Sequence, residues 1–390
     1  MNKGKIKEQF LLNQDIHFLN HGSFGACPLP VFQDYQKWQA ELEKEPIQFF
    51  TKTGISALKA SKEVFAQEFN CSVEDFFFTS NPSTAFNTVV KNLDLKPGDE
   101  ILSTNLEYGA MDRTWNYYCQ KTGAKYVQQE IPLPFSNKEE ILEAFWSGYN
   151  KNTKIVFLSH ITSSTALILP VEEICERAKE LGLITIIDGA HVPGHIPLDL
   201  GTLKADFYTG AMHKWYLAPK GLAFLHVKKE FQDMLDPLIV SWGYESDFPS
   251  GNRFLDYHEF NGTRDFSAHL CMPSLKRFRE DFEWDAACTA AKQRILEIYP
   301  KFCTLLGSEA LCPLSSDFLG QMCSIPINTT KPLELKEALY NRFHIEIPIT
   351  NLKSKYFIRI SLQGYNNQGD IDTLHQALRV LMEENQLINS

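Results

Sequence analysis

The chain has 390 residues, 44% of them hydrophobic and 22% charged, with a formal net charge of −10. This is the composition of a globular protein long enough for a large core and two domains, and its acidic balance, with no long Lys/Arg run, argues against nucleic acid as a partner. No stretch reaches transmembrane length, MNKGKIKEQFLLNQ lacks the apolar core of a signal peptide, and nine scattered cysteines without CxxC spacing indicate neither a disulfide framework nor a metal site; a cytoplasmic location with no membrane partner is expected.

In chain order, Phe18 to Gly25 reads as a short extended segment closed by glycines, followed by helices around Val31 to Glu43 and Ser56 to Phe69. A strand at Asp75 to Thr79 leads to a helix that Ser83 or Thr84 starts and that reaches about Lys91. Strands at Glu100 to Thr104, Lys125 to Gln129 and Ile155 to Ser159 alternate with helices near Ala110 to Lys121 and Lys138 to Tyr149. Pro170 opens a helix that stops at Gly182, placing Pro near the start and Gly past the end. An apolar β-branched run, Leu183 to Ile187, then breaks at Asp188, and Ala205 to Thr209 is strand-like. Beyond about Ser267 a long helix to about Ile298 precedes an α+β tail, with strands at Gln321 to Ile325, His344 to Ile347 and Phe357 to Ser361 and helices near Leu333 to Arg342 and Asp370 to Glu383. Alternating strands and helices imply right-handed crossovers, a mostly parallel sheet and a ligand site outside its strands' carboxyl ends. No GxGxxG or GxxxxGK[ST] motif supports a nucleotide site.

Asp188 lies at such a strand end, and Lys214 lies 26 residues on, directly after His213, between the Ala205 to Thr209 segment and a Pro219-Lys220-Gly221 turn. An acid at a strand end and a lysine in a nearby loop suit a pyridine cofactor held through its aldehyde. The carboxylate keeps the ring nitrogen protonated, and the lysine must attack as a free amine. Taken singly, each residue also fits a solvated turn or a surface position.

With its Asp188, His191, His213, Lys214 and Pro-Lys-Gly pattern, the segment Ile184 to Val227 resembles the class V aminotransferase and cysteine desulfurase superfamily. The likeness is greatest to the isopenicillin N epimerase-like branch, which includes L-cysteine desulfhydrases and ergothioneine-pathway carbon–sulfur lyases. It runs from FLNHGSFGACPLPV to FIRISLQGYNNQGDIDTL. The resemblance implies pyridoxal 5'-phosphate as cofactor and the α/β transferase fold type I. It implies a large domain over 31–266 with a mostly parallel sheet, and a smaller α+β domain of 267–390 joined by 1–30.

Residue by residue, the resemblance puts Ser83 and then Thr84 on the phosphate; locally the same SNPST pattern is an ordinary helix N-cap. His213 matches a phosphate contact. Ala211 stands where many relatives carry a hydroxyl, leaving that contact absent or taken over by Thr209. Tyr108 takes the place of the residue stacked on the ring, and His191 that of the partner of the phenolic oxygen. Thr263, in NGTRDFSA, matches a residue that reaches the neighbouring subunit's phosphate, which implies a homodimer with shared active sites. Arg359 matches the arginine that holds the substrate α-carboxylate, a task suited to a planar guanidinium. Asn20 and His21 resemble a loop lining the substrate pocket, with Gly22 and Gly25 letting it approach the ligand.

The departures refine the expectation. RFHIEIPITNLKSKYFIRIS lacks the mobile cysteine of a persulfide-forming desulfurase; Cys27 is the one cysteine near the expected pocket. Chemistry at Cα remains, with Lys214 removing the proton. Loss of a sulfur group from Cβ makes a carbon–sulfur lyase on a cysteine-derived amino acid, the favoured reading. Reprotonation on the opposite face makes an epimerase, for which Tyr108 and His21 are candidate second acids. Transamination and a non-catalytic member of the fold are the remaining alternatives.

Overall fold

The computed structural model describes residues 6–247 and 249–388. Its strands are β1 (His17–Phe18), β2 (Phe76–Thr79), β3 (Glu100–Thr104), β4 (Lys125–Gln129), β5 (Thr153–Ser159), β6 (Ile184–Asp188), β7 (Phe207–Ala211), β8 (Ala223–Val227), β9 (Met322–Ile327), β10 (Ile345–Glu346), β11 (Ile349–Leu352) and β12 (Lys355–Ser361).

Seven of them form one sheet in the order β2-β8-β7-β6-β5-β3-β4. Its neighbours pair in parallel except that β8 runs antiparallel to both β2 and β7. Alternate residues feed separate apolar clusters: Val156, Leu158 and Ile187 pack in one, and Ile155, Phe157 and Ile186 in another. A sheet covered on both faces needs apolar residues at every position, which is why these strands read as unbroken hydrophobic runs.

The helices begin and end where local chemistry dictates. The Asn81 side chain accepts from the Thr84 N–H, starting Pro82–Lys91 two to three residues before the hydroxyls expected to do so. Gly123, at φ +80°, ends Gly109–Thr122, and Gly182, at φ +68°, follows Val171–Glu180. The long helix expected after Ser267 is broken. A 3₁₀ turn, Ser267–Cys271, precedes Met272–Asp281 and Trp284–Leu305, with Glu283 left-handed at φ +47° between the two helices. Strand β8 lies beyond the Pro-Lys-Gly turn, where sequence reasoning placed no strand.

Beyond the large sheet, β11, β12 and β9 form an antiparallel sheet. The N-terminal segment is stitched to this part: β1 pairs with β10 in parallel, and Asn20 bridges Ser361. The expected extended run is helical over His21–Phe24. Among the described residues no helix is long and apolar enough to cross a membrane.

Candidate active site

The carboxyl ends of β2, β3, β5, β6 and β7 open on one cleft of about 630 Å³, lined by Asn81, Ser83, Tyr108, Ser159, Asp188, His191, His213 and Lys214, with Ser23 and Phe24 from the N-terminal segment. Ser159 and Asp188 are partners in the β5–β6 register, and Asp188 pairs onward with Thr209.

Asp188 is buried and accepts the Ala190 N–H at 2.9 Å. Burial raises its pKa, an effect that this hydrogen bond and the nearby Lys214 oppose. Burial, aided by the Arg359 charge and opposed by Asp188, brings Lys214 from 10.5 down to about 8. Its Nζ lies 3.1 Å from His191 Nε2. His191 is held well below its ordinary value by burial and then by the Lys214 and Arg359 charges.

The proposed phosphate residues divide. Ser83 lines the cleft on the first turn of its helix, where unpaired backbone N–H groups favour an anion. Thr84 is tied into the cap, its hydroxyl donating to Asn81 Oδ1 at 3.2 Å. His213 lines the cleft; its Nδ1 is buried and makes no well-aligned hydrogen bond, although the Leu222 backbone acts on the ring and partly opposes the fall in its pKa. Burial and Lys214 bring it down to about 4. A buried polar atom left alone is costly, so this nitrogen calls for a ligand atom. Thr209 is not free to replace the missing hydroxyl at Ala211, because it donates to the Phe224 carbonyl at 2.8 Å. Thr263 is exposed and does not line its own chain's cleft.

Tyr108, 47% exposed, N-terminally flanks Gly109–Thr122 and lines the cleft. Arg359 is 3% exposed on β12. Its Nη1 donates to the Ser163 carbonyl at 2.7 Å and its Nη2 to Ser23 Oγ at 2.8 Å, while Nε has no partner. Among the described residues no carboxylate forms an ion pair with it, and burial lowers its pKa to about 10.

The N-terminal loop departs from expectation. His21 is fully buried; its Nε2 donates to the Lys214 carbonyl at 3.0 Å and its Nδ1 accepts from the Tyr365 hydroxyl at 2.8 Å. It therefore braces the lysine's backbone and does not face the substrate cleft. Asn20 is turned away too, donating to Glu346 Oε1 and accepting from the Ser23 hydroxyl. The glycines serve the same bracing. A Cβ on Gly25, at φ +67°, would sit 2.0 Å from the His213 carbonyl oxygen, and one on Gly22 would sit 2.8 Å from Met322 Sδ. Sequence reasoning missed Ser23, Ser163 and Ser159, short polar residues that carry no spacing signal of their own.

Glu107 was missed as well, although it directly precedes Tyr108. It accepts from the Thr104 hydroxyl at 2.5 Å and from the Ser159 N–H and hydroxyl at 2.8 and 2.7 Å. Burial nonetheless pushes it up to about 8. Among the described residues no cysteine lines the cleft. Cys27 borders a separate hollow beside Lys220, and burial pushes its thiol up to about 12.

The demands of the cleft fit pyridoxal phosphate: a phosphate acceptor for Ser83 and His213, a ring cation for Asp188 and an aldehyde for Lys214. The family model described as Aminotransferase class-V matches residues 29–374. The isopenicillin N epimerase of Amycolatopsis lactamdurans is 31% identical, the alignment covering 96% of this chain and 97% of that one. The L-cysteine desulfhydrase of Arabidopsis thaliana is 25% identical over 94% of this chain and 88% of that one. In fold, the chain matches a variant of C-DES solved with glycine covalently linked to its PLP cofactor, at TM-score 0.81 and 20% identity, covering 95% and 98% of the two chains. The chain belongs to the class V aminotransferase family, pyridoxal-phosphate-dependent enzymes of fold type I.

Proposed function

We propose that this enzyme is a carbon–sulfur lyase that eliminates the β-substituent of a cysteine-derived amino acid. One observation carries the reading: among the described residues of the cleft, Lys214 is the group built to move a proton at Cα. His191 is buried and neutral, His21 faces elsewhere, Asp188 is suited to the ring nitrogen, and no cysteine is present to take up sulfur. Elimination requires a single base.

Bound pyridoxal phosphate supplies the sink for the electron pair left on Cα when its proton is removed. Ser83 and His213 would hold the phosphate and Asp188 the ring nitrogen's proton, while Tyr108 would cover a ring face. Arg359 grips the substrate carboxylate and so presents the Cα–H to Lys214 Nζ. Lys214 works as a base because burial and the Arg359 charge bring its pKa down to about 8, so that about a tenth of it is free amine at pH 7, far more than an exposed lysine offers. Departure of the sulfur group from Cβ, followed by hydrolysis, yields pyruvate, ammonia and the thiol or sulfide.

A second reading, epimerisation, draws on the exposed Tyr108 hydroxyl as an acid across the ring and on the epimerase name borne by relatives at 31–32% identity. Thr263, exposed on its loop, supports a homodimer with shared sites. The seven-stranded and three-stranded sheets lie on either side of the 266/267 boundary, and the β1–β10 pair joins the N-terminal segment to the C-terminal part, which supports the domain division. The test is an assay of cofactor-loaded protein with L-cysteine, cystine and S-substituted cysteines and their sulfoxides, following pyruvate and the D-enantiomer together. Pyruvate with ammonia is expected; D-product or Cα deuterium exchange without pyruvate would replace the lyase by the epimerase.

A further inference from the structure

Next to the lysine stands a residue that the mechanism above does not use. Trp215 is fully buried, and its indole Nε1–H donates to His191 Nδ1 at 3.2 Å. The ring is wedged between His195, with centroids 4.0 Å apart, and His21 at 5.1 Å. An indole nitrogen can only donate, so His191 Nδ1 must be bare. A neutral imidazole then carries its proton on Nε2, the nitrogen 3.1 Å from Lys214 Nζ. An ammonium has no lone pair with which to accept that proton. The contact is consistent only with Lys214 as the free amine.

We propose that Trp215 is a positioning residue that, through the tautomer of His191, holds Lys214 in its free-amine form and aims the His191 Nε2–H at the cofactor side of the cleft. The proposal rests on the reading of Lys214 as the cofactor-bearing base, and holds whichever reaction follows.

The surrounding groups leave His191 little alternative. His195, from the same loop, donates from Nδ1 to the His191 carbonyl at 2.9 Å, and its Nε2 accepts the Gln321 N–H. His21 fixes the Lys214 carbonyl from the opposite side. The other titratable or charged groups acting on the pair are Asp188 on β6, His213 beside the lysine and Arg359 on β12. Of these, Asp188 alone favours the ammonium, and it cannot accept the proton that Trp215 forces onto His191 Nε2.

The experiment uses the full chain freed of cofactor, with ¹⁵N-labelled histidine and His191→Gln to assign the resonance. The expected result is a His191 with bare Nδ1 and protonated Nε2 at pH 8.5 to 9, where Lys214 is mostly the free amine. A proton on Nδ1 in the unsubstituted protein would overturn the proposal without any Trp215 variant. Trp215→Phe keeps a ring between His195 and His21 but removes the N–H. His191 can then move its proton to Nδ1 and accept from the ammonium. The pH midpoint for capture of pyridoxal phosphate should rise by about one unit, a roughly tenfold loss of free amine at pH 7. An unchanged midpoint in folded Trp215→Phe protein refutes the proposal. Failure of the lyase reading would show separately, as absent pyruvate with the His191 signals as expected.

Discussion

Replacing Arg359 by Met should weaken substrate handling severely while leaving the fold as stable as before or more so. The guanidinium is 3% exposed between the fully buried Ile358 and Ile360, with no carboxylate partner and one unsatisfied nitrogen. A pKa brought from 12.5 to about 10 corresponds to about 3 kcal/mol of lost preference for the charged form. Met removes that cost and leaves the Ser23 hydroxyl and Ser163 carbonyl without a donor, at about 1 kcal/mol each. The balance is near zero or about 1 kcal/mol in favour of the variant, a change of a degree or two at most in the thermal midpoint. On the functional side, two charge-assisted hydrogen bonds at about 1.5–3 kcal/mol each make about 3–6 kcal/mol, or ~10²–10⁴ in kcat/KM. The assays are thermal unfolding of the cofactor-free chain and pyruvate release from L-cysteine. A variant that unfolds many degrees lower and retains kcat/KM within about threefold would show that Arg359 is a structural residue and that the carboxylate assignment is mistaken.

Two further outcomes follow from the buried ionisable groups. Lys214→Ala should lose covalent capture of the cofactor, seen in the visible spectrum, together with at least about 10³-fold of turnover. In the unsubstituted chain, capture should accelerate with pH around a midpoint of about 8, since the free amine grows as pH rises through that value; a midpoint near 10.5 would contradict the buried site. Glu107 keeps its proton in the fold up to about 8, whereas the unfolded chain releases it near 4.5. Between those values the folded state binds more protons, so this group makes stability fall as pH rises, by about a few kcal/mol in all. Glu107→Gln, whose carbonyl can accept from Ser159 and whose amide can donate to Thr104, should flatten that part of the unfolding profile; an unchanged slope would place the titration elsewhere.

What the sequence disclosed, and what it hid, followed from the range of the interactions. The β6 acid and the lysine loop were legible because a buried strand leaves an apolar run and breaks at its carboxyl end, both local signals. The strands of the doubly covered sheet were legible for the same reason, although β8 was passed over. Its five residues, AFLHV, follow a turn that drew attention to itself, and its antiparallel place between β2 and β7 is a matter of topology. His21 was misread because its role is set by residues some 190 and 340 positions away, the Lys214 carbonyl and the Tyr365 hydroxyl. No local pattern separates a histidine that lines a pocket from one that braces a backbone. Ser23 and Ser163 become meaningful only once β12 brings Arg359 between them.

The cleft and the β12 arginine behind its Ser23 and Ser163 wall gather conditions that a core avoids: an imidazole nitrogen without a well-aligned partner, a guanidinium without an anion, and a carboxyl raised by burial. Each is unfavourable alone. A ligand that carries a phosphate at one end and a ring cation at the other answers the first and third, and a substrate carboxylate answers the second. Binding should therefore stabilise the fold in separable portions. Pyridoxal phosphate at 100 times its Kd adds about 2.7 kcal/mol by mass action. Pyridoxal, which lacks the phosphate, leaves His213 Nδ1 and the Ser83 helix start unanswered and should need a concentration at least about tenfold higher for the same rise in thermal midpoint. His213→Ala should narrow the difference between the two ligands. Equal stabilisation by both in the unsubstituted chain would mean that the phosphate lies elsewhere, and that the orphaned imidazole is a feature of the fold alone.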